Sequence, residues 1–236
     1  LTLKNPGKMP EVAAGQFVEV QIPDTANTFL RRPISVHDVD YEKNTLSLLV
    51  RIVGNGTEKL SLIKKGETIN LVYPLGNGFD LSKVGDKPLL IGGGVGIAPL
   101  LYLGKKLKEG GKPVEFLFGS RDKEGLLRND IYEQIGKINI TTEDGSVGTK
   151  GFVTNHECLC GNVNSYTSFL VCGPTPMMKA VGNVAKANGI PCFVSLENKM
   201  ACGIGVCLCC VTDTKEGHKC VCSEGPVFEI NDLKWE

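Results

Sequence analysis

The clustering of cysteine near one end constrains this chain more than any other feature of its sequence. Six of the ten cysteines lie between Met200 and Gly225, and residues 1–199 hold the remainder. Disulfide-rich secreted proteins are usually small and carry cysteines throughout the chain. Here a long stretch of ordinary globular composition comes first. We therefore expect a reduced protein whose terminal cysteines bind a metal centre.

The spacing of these cysteines indicates the kind of centre. Cys202, Cys207 and Cys210 follow the C-x4-C-x2-C pattern of plant-type [2Fe–2S] ferredoxins, which add a fourth cysteine further along the chain. The loop between the first two ligands contains two glycines, which allow backbone N–H groups to turn toward sulfur. Zinc modules prefer paired C-x2-C units or added histidines, so zinc is the weaker alternative.

Spacing alone leaves the fourth ligand open. Cys220 and Cys222 would point the same way in an extended segment, because side chains alternate along a strand. Cys209 adjoins Cys210, and the x2 spacing selects Cys210. We expect Cys209, and whichever of Cys220 and Cys222 is not a ligand, to be small buried apolar residues near the cluster.

Charge and composition exclude several classes of function. The 236 residues include 26 Lys plus Arg and 26 Asp plus Glu, with no basic face, which argues against nucleic acid as a partner. The longest uncharged run, Pro88–Gly104, is shorter than the ~20 residues of a spanning helix. No signal-peptide pattern is present, and a cytoplasmic protein is expected. The strand-like start at Leu1 suggests that further residues lie upstream.

Three units follow one another along the chain. Residues 1–82 contain short β-rich runs at 15–22, 45–53 and 67–76, which predict a small antiparallel barrel. Residues 83–196 alternate strand and helix patterns and predict a parallel α/β sheet. The cysteine segment, 197–236, forms a third, small module.

Two loops of the α/β unit are candidates for binding a dinucleotide. The first, Ile91–Leu100, joins a strand to a helix and carries Gly92, Gly93, Gly94 and Gly96. Glycines there allow phosphate to approach backbone N–H groups, although Ile97 replaces the third glycine of G-x-G-x-x-G. The second, with Cys172, Gly173 and Pro174, follows another strand at the same sheet edge. The alternative is that the glycines serve a tight packing turn.

The number of electrons that each of these groups exchanges predicts a third cofactor. A nicotinamide exchanges two electrons as hydride and a [2Fe–2S] cluster exchanges one, so a flavin is the usual intermediary. The β unit is the remaining place for it. Phe29–Ser35 supplies arginines, a proline and a hydroxyl, and Arg51–Leu60 supplies an arginine and a Gly-Asn-Gly-Thr turn that opens a short helix.

These motifs resemble the ferredoxin-NADP reductase superfamily, in which a flavin barrel with an R-x-Y-[ST] motif precedes a nucleotide domain. That motif is "RPIS" here, and Ile34 replaces the aromatic residue. The order of "RRPIS", "GGGVGIAPL", "CGPTPMM" and "ENKMACGIGVCLCC…CSEGPVF" resembles the electron-transfer subunit of NAD-dependent (type B) dihydroorotate dehydrogenase. The resemblance covers nearly the whole chain.

The resemblance implies FAD, a [2Fe–2S] cluster and NAD as cofactors. It also implies an FMN-containing catalytic subunit as partner, in a heterotetramer of two plus two that serves pyrimidine biosynthesis. It assigns no catalytic residue to this chain, and Cys172 would lie near the nicotinamide. The "SEGPVF" tail selects Cys222 as the fourth ligand. The flavin-binding residues it implies are Arg32, Pro33, Ile34, Ser35, Leu49, Val50, Arg51, Gly56 and Thr57.

Two other functions compete with this interpretation. Related chains serve as flavin and iron–sulfur subunits of NAD(P)H:ferredoxin oxidoreductases or soluble hydrogenases. A zinc-stabilised nucleotide-binding regulatory module is the second. The charges of "SRDKEG" do not separate NAD from NADP, and only the family favours NAD. His37 and His218 are expected at the surface, and His156–Cys160 is expected to be a surface loop.

Overall fold

The N-terminal unit is an antiparallel sheet of five strands. The computed structural model describes residues 1–23 and 29–235. The strand order is β1-β4-β3-β2-β5, an open half-barrel, so the antiparallel β unit predicted from the sequence is confirmed. A short helix, α1, lies between β4 and β5. The elements are β1 (Thr2–Lys4), β2 (Phe17–Val20), β3 (Arg32–Asp40), β4 (Thr45–Leu48), α1 (Asn55–Ser61) and β5 (Leu71–Leu75).

The longest strand of this sheet, β3, was not predicted from the sequence. Its first residues, Arg32–Ser35, pair only with β2, and its pairing with β4 begins at Val36. Pro33, which has no N–H, is therefore accommodated where one side of the strand is unpaired. The Arg-Pro sequence resembled a turn, yet it opens a nine-residue strand.

The second unit is the predicted α/β sheet. Its strands run in the order β11-β10-β6-β7-β8-β9, and all neighbours are parallel. The elements are β6 (Pro88–Gly93), α2 (Leu100–Glu109), β7 (Glu115–Ser120), α3 (Asn129–Glu133), β8 (Lys137–Thr142), β9 (Thr149–Lys150), α4 (Glu157–Cys160), β10 (Ser168–Cys172), α5 (Thr175–Ala187) and β11 (Cys192–Ser195).

Helices cover both faces of this sheet. All six residues of β6 are buried, as expected for a central parallel strand. Leu90 packs into the same core as α2, whereas Leu89 and Ile91 pack into the core that holds α5. Helix α2 ends at Glu109 and is followed by Gly110 and by Gly111 with φ +76°, as the two glycines predicted.

The cysteine segment is attached to both other units. It contains a hairpin of β12 (Val211–Thr214) and β13 (Gly217–Cys220), and then β14 (Val227–Glu229), which pairs antiparallel with β11. The side chain of Asn77, just after β5, donates to the carbonyls of Ser223 (3.0 Å) and Glu224 (3.2 Å). The module therefore lies against the end of the half-barrel as well as the edge of the α/β sheet. Among the described residues, no helix is long and apolar enough to cross a membrane.

Candidate functional site

The loop from Cys202 to Cys210 turns its backbone N–H groups toward sulfur atoms. The N–H groups of Ile204 and Cys207 donate to Cys202 Sγ at 3.5 and 3.4 Å. Gly205 N–H donates to Cys222 Sγ at 3.1 Å. Gly203 and Gly205 both have positive φ, which is what allows this close wrapping. The loop therefore has the form that its two glycines predicted.

These N–H groups change the acidity of the thiols. The bonds from Ile204 and Cys207 lower the pKa of Cys202 to about 6. Burial, followed by the neighbouring Cys210, raises the pKa of Cys222 to about 12. Thiolate is the form that binds metal, and a bound cation would supply the charge that stabilises it in the buried positions.

The cysteine set fits a binuclear cluster in its chemistry. Cys210 and Cys222 are buried, Cys202 is half-buried and Cys207 is exposed. Cys222 N–H also donates to Cys210 Sγ at 3.3 Å, so N–H donors serve three of the four predicted ligands. In the described part of the chain no three His, Cys, Asp or Glu side chains converge as ligands of a single ion. Four thiolates shared between two irons do not require such convergence.

The structure bears on the two cysteines that spacing could not separate. Gly205 N–H ties Cys222 to the ligand loop, whereas Cys220 lies in β13 opposite Val211. Both residues are buried. Cys209 is exposed, so the expectation that it is a small buried residue is wrong.

The predicted flavin residues lie on two adjacent segments. Arg32, Pro33, Ile34 and Ser35 occupy the start of β3. Gly56, in α1, lies against the Arg32 side chain, since a Cβ on Gly56 would come within 2.9 Å of Arg32 Nε. The "RRPIS" and "GNGT" motifs are therefore neighbours in space.

The remaining predicted flavin residues differ in their exposure and in the groups that are free to contact a flavin. Leu49 and Val50 are half-buried against the core, and Arg51 is exposed. The Thr57 hydroxyl donates to Gly54 O at 2.9 Å and accepts the N–H of Val53 at 2.9 Å. Because that hydroxyl closes the turn, a contact of Thr57 with pyrophosphate would come from its backbone N–H.

The two predicted nucleotide loops touch each other. Strands β6 and β10 are neighbours, and Cys172 pairs with Gly92. A Cβ on Gly96 would come within 2.5 Å of Cys172 O, and one on Gly93 within 2.8 Å of Pro174 Cδ. Gly92 and Gly173 are similarly enclosed by protein atoms. Close packing therefore explains the glycine at four of the predicted positions.

Gly94 is different from the other loop glycines. Its φ is +56°, and the nearest atom to a Cβ placed there would be Arg51 Nη1, at 3.7 Å. The open side of the nucleotide loop thus faces an arginine of the flavin segment. Beside it, burial raises the pKa of Cys172 to about 12, although a bond to Ser195 lowers it, so this residue is present as a neutral thiol.

Two buried ionisable residues were missed by the sequence analysis. His37 was expected at the surface, but it is 7% exposed and bonded to Ala98 O, so that prediction is wrong. Glu19 is 1% exposed, and neither of its oxygens has a hydrogen-bond partner among the described residues. A Cβ on Gly203 would lie 2.8 Å from Glu19 Cγ, which places this carboxyl under the cysteine loop. Burial raises its pKa to about 7, against the opposing effect of Arg31.

Two further expectations have mixed outcomes. His218 is exposed, as predicted, and its Nδ1 lies 2.6 Å from Asp213 Oδ1. In the His156–Cys160 segment, Glu157–Cys160 form the short helix α4 instead of a surface loop, and Cys158 is buried. Tyr166 Oη contacts Cys158 Sγ at 3.2 Å, which ties this helix to the segment just before β10.

Two family models match the chain. One, the iron-sulfur cluster binding domain of dihydroorotate dehydrogenase B, matches residues 197–234. The other, the oxidoreductase NAD-binding domain, matches residues 90–183. The predicted iron–sulfur and NAD functions are confirmed by these matches.

Known structures show the same fold. A structure of an NADH-dependent reduced ferredoxin-NADP oxidoreductase is 32% identical, with a TM-score of 0.86, and the alignment covers 99% of this chain and 84% of that one. A ferredoxin NADP+ reductase from Neisseria gonorrhoeae is 21% identical, with a TM-score of 0.63 and coverage of 80% and 84%. The second likeness shows the fold alone. The predicted fold class is confirmed.

The curated relatives identify the family more specifically than the solved structures do. The "Dihydroorotate dehydrogenase B (NAD(+)), electron transfer subunit" of Fusobacterium nucleatum is 39% identical over 94% of this chain and 87% of that protein. The protein with the same name from Clostridium acetobutylicum is 41% identical, with the same coverage. With these identities over almost the whole chain, and with a terminal module that matches the same enzyme, this chain belongs to the family of electron transfer subunits of NAD-dependent dihydroorotate dehydrogenase B.

Proposed function

We propose that this chain passes electrons from an FMN-containing dihydroorotate dehydrogenase subunit to NAD+. The observation that carries the proposal is the order of the three candidate sites. Gly94 of the nucleotide loop faces Arg51 of the half-barrel, and Gly203 of the cysteine loop packs on Glu19 of β2. The half-barrel therefore contacts both the nucleotide loop and the cysteine loop, and the flavin motif lies on β3, the strand next to β2.

The residues that hold each group follow from this arrangement. Cys202, Cys207, Cys210 and Cys222 would hold the [2Fe–2S] cluster, and the loops around Gly94 and Gly173 would hold NAD. The start of β3, with Leu49–Arg51 and the turn at Gly56, would hold FAD. When bound, the flavin supplies the exchange between two-electron hydride transfer and one-electron transfer. The chain contributes N–H groups to sulfur, arginine charge to phosphate and packing that fixes the loops.

The surface around the cysteine loop supports a protein partner at that site. Ile204, Val206 and Leu208 are 59%, 75% and 65% exposed, and all three lie between the ligand cysteines. Apolar side chains clustered at the surface are typical of interaction sites. A partner that covers them would bring its own redox group close to the cluster. We place the FMN-containing subunit there, in a two-plus-two complex in the cytoplasm, and we assign the three units to residues 1–82, 83–196 and 197–236.

The ferredoxin oxidoreductase alternative is less well supported. The solved structure with that activity is 32% identical to this chain, whereas the dihydroorotate dehydrogenase B relatives reach 41%. The family model that matches the cysteine module also carries the dihydroorotate dehydrogenase description.

Reconstitution tests the proposed function. The purified chain should show flavin and iron–sulfur absorbance, and it should oxidise NADH with artificial dyes. It should not turn over dihydroorotate until the FMN-containing subunit is added, when NADH should form from dihydroorotate and NAD+. Oxidation of dihydroorotate by the chain alone, or the absence of coupling with the partner present, would contradict the proposal. A colourless protein with bound zinc would favour the regulatory module.

A further inference from the structure

Near the end of the nucleotide loop lie two consecutive backbone carbonyl groups, and each accepts a hydrogen bond from a side chain. Tyr132 Oη donates to Ile97 O at 2.7 Å, and His37 Nδ1 lies 2.8 Å from Ala98 O. Among the turn, loop and cap hydrogen bonds of the described residues, no backbone N–H donates to either carbonyl. Both loop residues are buried, so each carbonyl would cost about 1–3 kcal/mol if left without a donor.

The two donors come from different units of the protein. Tyr132 belongs to α3 of the α/β unit. Its ring packs edge-on against the rings of Phe116 and Phe118, with ring centroids 5.3 and 4.9 Å apart. His37 belongs to β3 of the half-barrel, two residues after Ser35 of the flavin motif. Because a carbonyl only accepts, Nδ1 of His37 carries the hydrogen in this bond. Burial lowers the pKa of His37, in agreement with a neutral ring.

A second contact joins the same strand to the following helix. Asp38 Oδ2 lies 2.6 Å from Lys105 Nζ, in the middle of α2. The strand that carries the flavin motif is therefore attached to the nucleotide loop by His37 and to α2 by Asp38. An aspartate–lysine pair of this kind keeps the helix close. Of these two contacts from β3, the histidine bond is the one that reaches the loop itself.

We propose that His37 is a positioning residue, whose bond to Ala98 O fixes the nucleotide loop relative to the flavin strand. This inference rests on the proposed exchange of hydride between NAD and FAD. Reacting atoms must approach to about 3–3.5 Å, and a displacement of about 1 Å can cost about a hundredfold in rate. A bond between the flavin strand and the nucleotide loop is well placed to hold such a distance.

The test compares three variants of the whole FAD-loaded chain. His37→Leu removes the donor, and His37→Phe removes it while keeping a flat ring against Tyr132. His37→Asn retains an N–H near the position of Nδ1. Rapid mixing with NADH without oxygen gives the limiting rate of flavin bleaching. We expect a fall of about ten- to a hundredfold in the variants without a donor, and recovery to within about threefold of wild type with asparagine.

Hydrogen exchange of the chain without nucleotide supplies a readout that is independent of activity. The peptide covering residues 91–101 should exchange about three- to tenfold faster in the variants without a donor, and near the wild-type rate in the asparagine variant. Flavin content and thermal unfolding identify a variant that has lost its fold. If one of the two variants without a donor has lost its fold, the comparison uses the other one.

The outcomes separate this inference from the proposed function. If NADH reduces the flavin of the leucine and phenylalanine variants as fast as it reduces the flavin of the wild type, His37 does not position the loop. A change confined to NADH affinity, or an asparagine variant as slow as leucine, would also overturn the inference. If NADH does not reduce wild-type flavin at all, the proposed function itself fails.

Discussion

At the scale of single residues, one N–H bond distinguishes the predicted cluster ligand from its neighbour. Gly205 lies in the loop between Cys202 and Cys207, and its N–H donates to Cys222 Sγ at 3.1 Å. Hydrogen bonds of this kind to ligand sulfur orient the ligand and tune the metal. Cys220 is also buried, but it lies within a β-hairpin. The two cysteines therefore form a matched pair for testing.

Serine at these two positions should have opposite consequences. Cys222→Ser should remove the cluster, because an alcohol is a poor substitute for thiolate, and iron should fall from about two per chain to less than about half an atom. Cys220→Ser should keep both the visible absorbance and the EPR signal of the reduced cluster. Iron analysis and EPR of the two variants measure this. Loss of the cluster in Cys220→Ser, with retention in Cys222→Ser, would reverse the assignment.

Sequence reasoning recognised the residues with diagnostic spacing and missed those defined by tertiary contacts. The C-x4-C-x2-C pattern is local, so it could be found directly in the chain. Glu19 and His37 have ordinary local surroundings in the sequence, and only the packing of the three units buries them. The available signals were weak: Glu19 is a charged residue within the predicted run 15–22, and His37 lies two residues after the "RPIS" motif.

At the scale of elements, the nucleotide loop combines packing glycines with one open position. Gly93 and Gly96 have no room for a side chain, whereas Gly94 has room but a φ of +56°. A residue with a Cβ at Gly94 would stand on the side that faces Arg51. Gly189, in the turn after α5, has a similar φ of +66°, and no atom lies within 4 Å of the point that a Cβ would occupy there. It provides a control for backbone strain.

Asparagine at Gly94 should weaken NADH binding, because it tolerates positive φ yet places a side chain where phosphate would approach. We expect the NADH concentration for half-maximal dye reduction to rise by about tenfold or more, with flavin absorbance unchanged. Gly189→Asn should leave both quantities unchanged. If Gly94→Asn has wild-type kinetics, the nucleotide phosphates do not bind at this loop.

The helices and strands themselves were predictable where the hydrophobic pattern extends over many residues. The alternation of strands and helices after Pro88 is regular, and the structure follows it. The short strands of the half-barrel were less well defined: the run predicted at 45–53 is a strand only over Thr45–Leu48, because pairing with β3 ends there. The pairing of β14 with β11 could not be predicted, because a three-residue strand has no distinctive pattern.

At the scale of the whole molecule, the half-barrel that carries the flavin motif adjoins the two other candidate sites, as the proposed relay requires. The half-barrel contacts the nucleotide loop through Arg51 and the cysteine loop through Glu19. The curated relatives are named as electron transfer subunits, so we expect the electrons to come from a catalytic partner. The exposed Ile204, Val206 and Leu208 around the ligands provide a surface for it.

The most direct test of this relay is the coupled reaction of a chain that has lost its cluster. The Cys222→Ser chain, loaded with FAD and mixed with the FMN-containing subunit, should form no NADH from dihydroorotate. The same preparation should still oxidise NADH with dyes that accept electrons directly from flavin, which shows that the other two sites are intact. Formation of NADH from dihydroorotate at the full wild-type rate, in a chain shown to contain no iron, would contradict the relay.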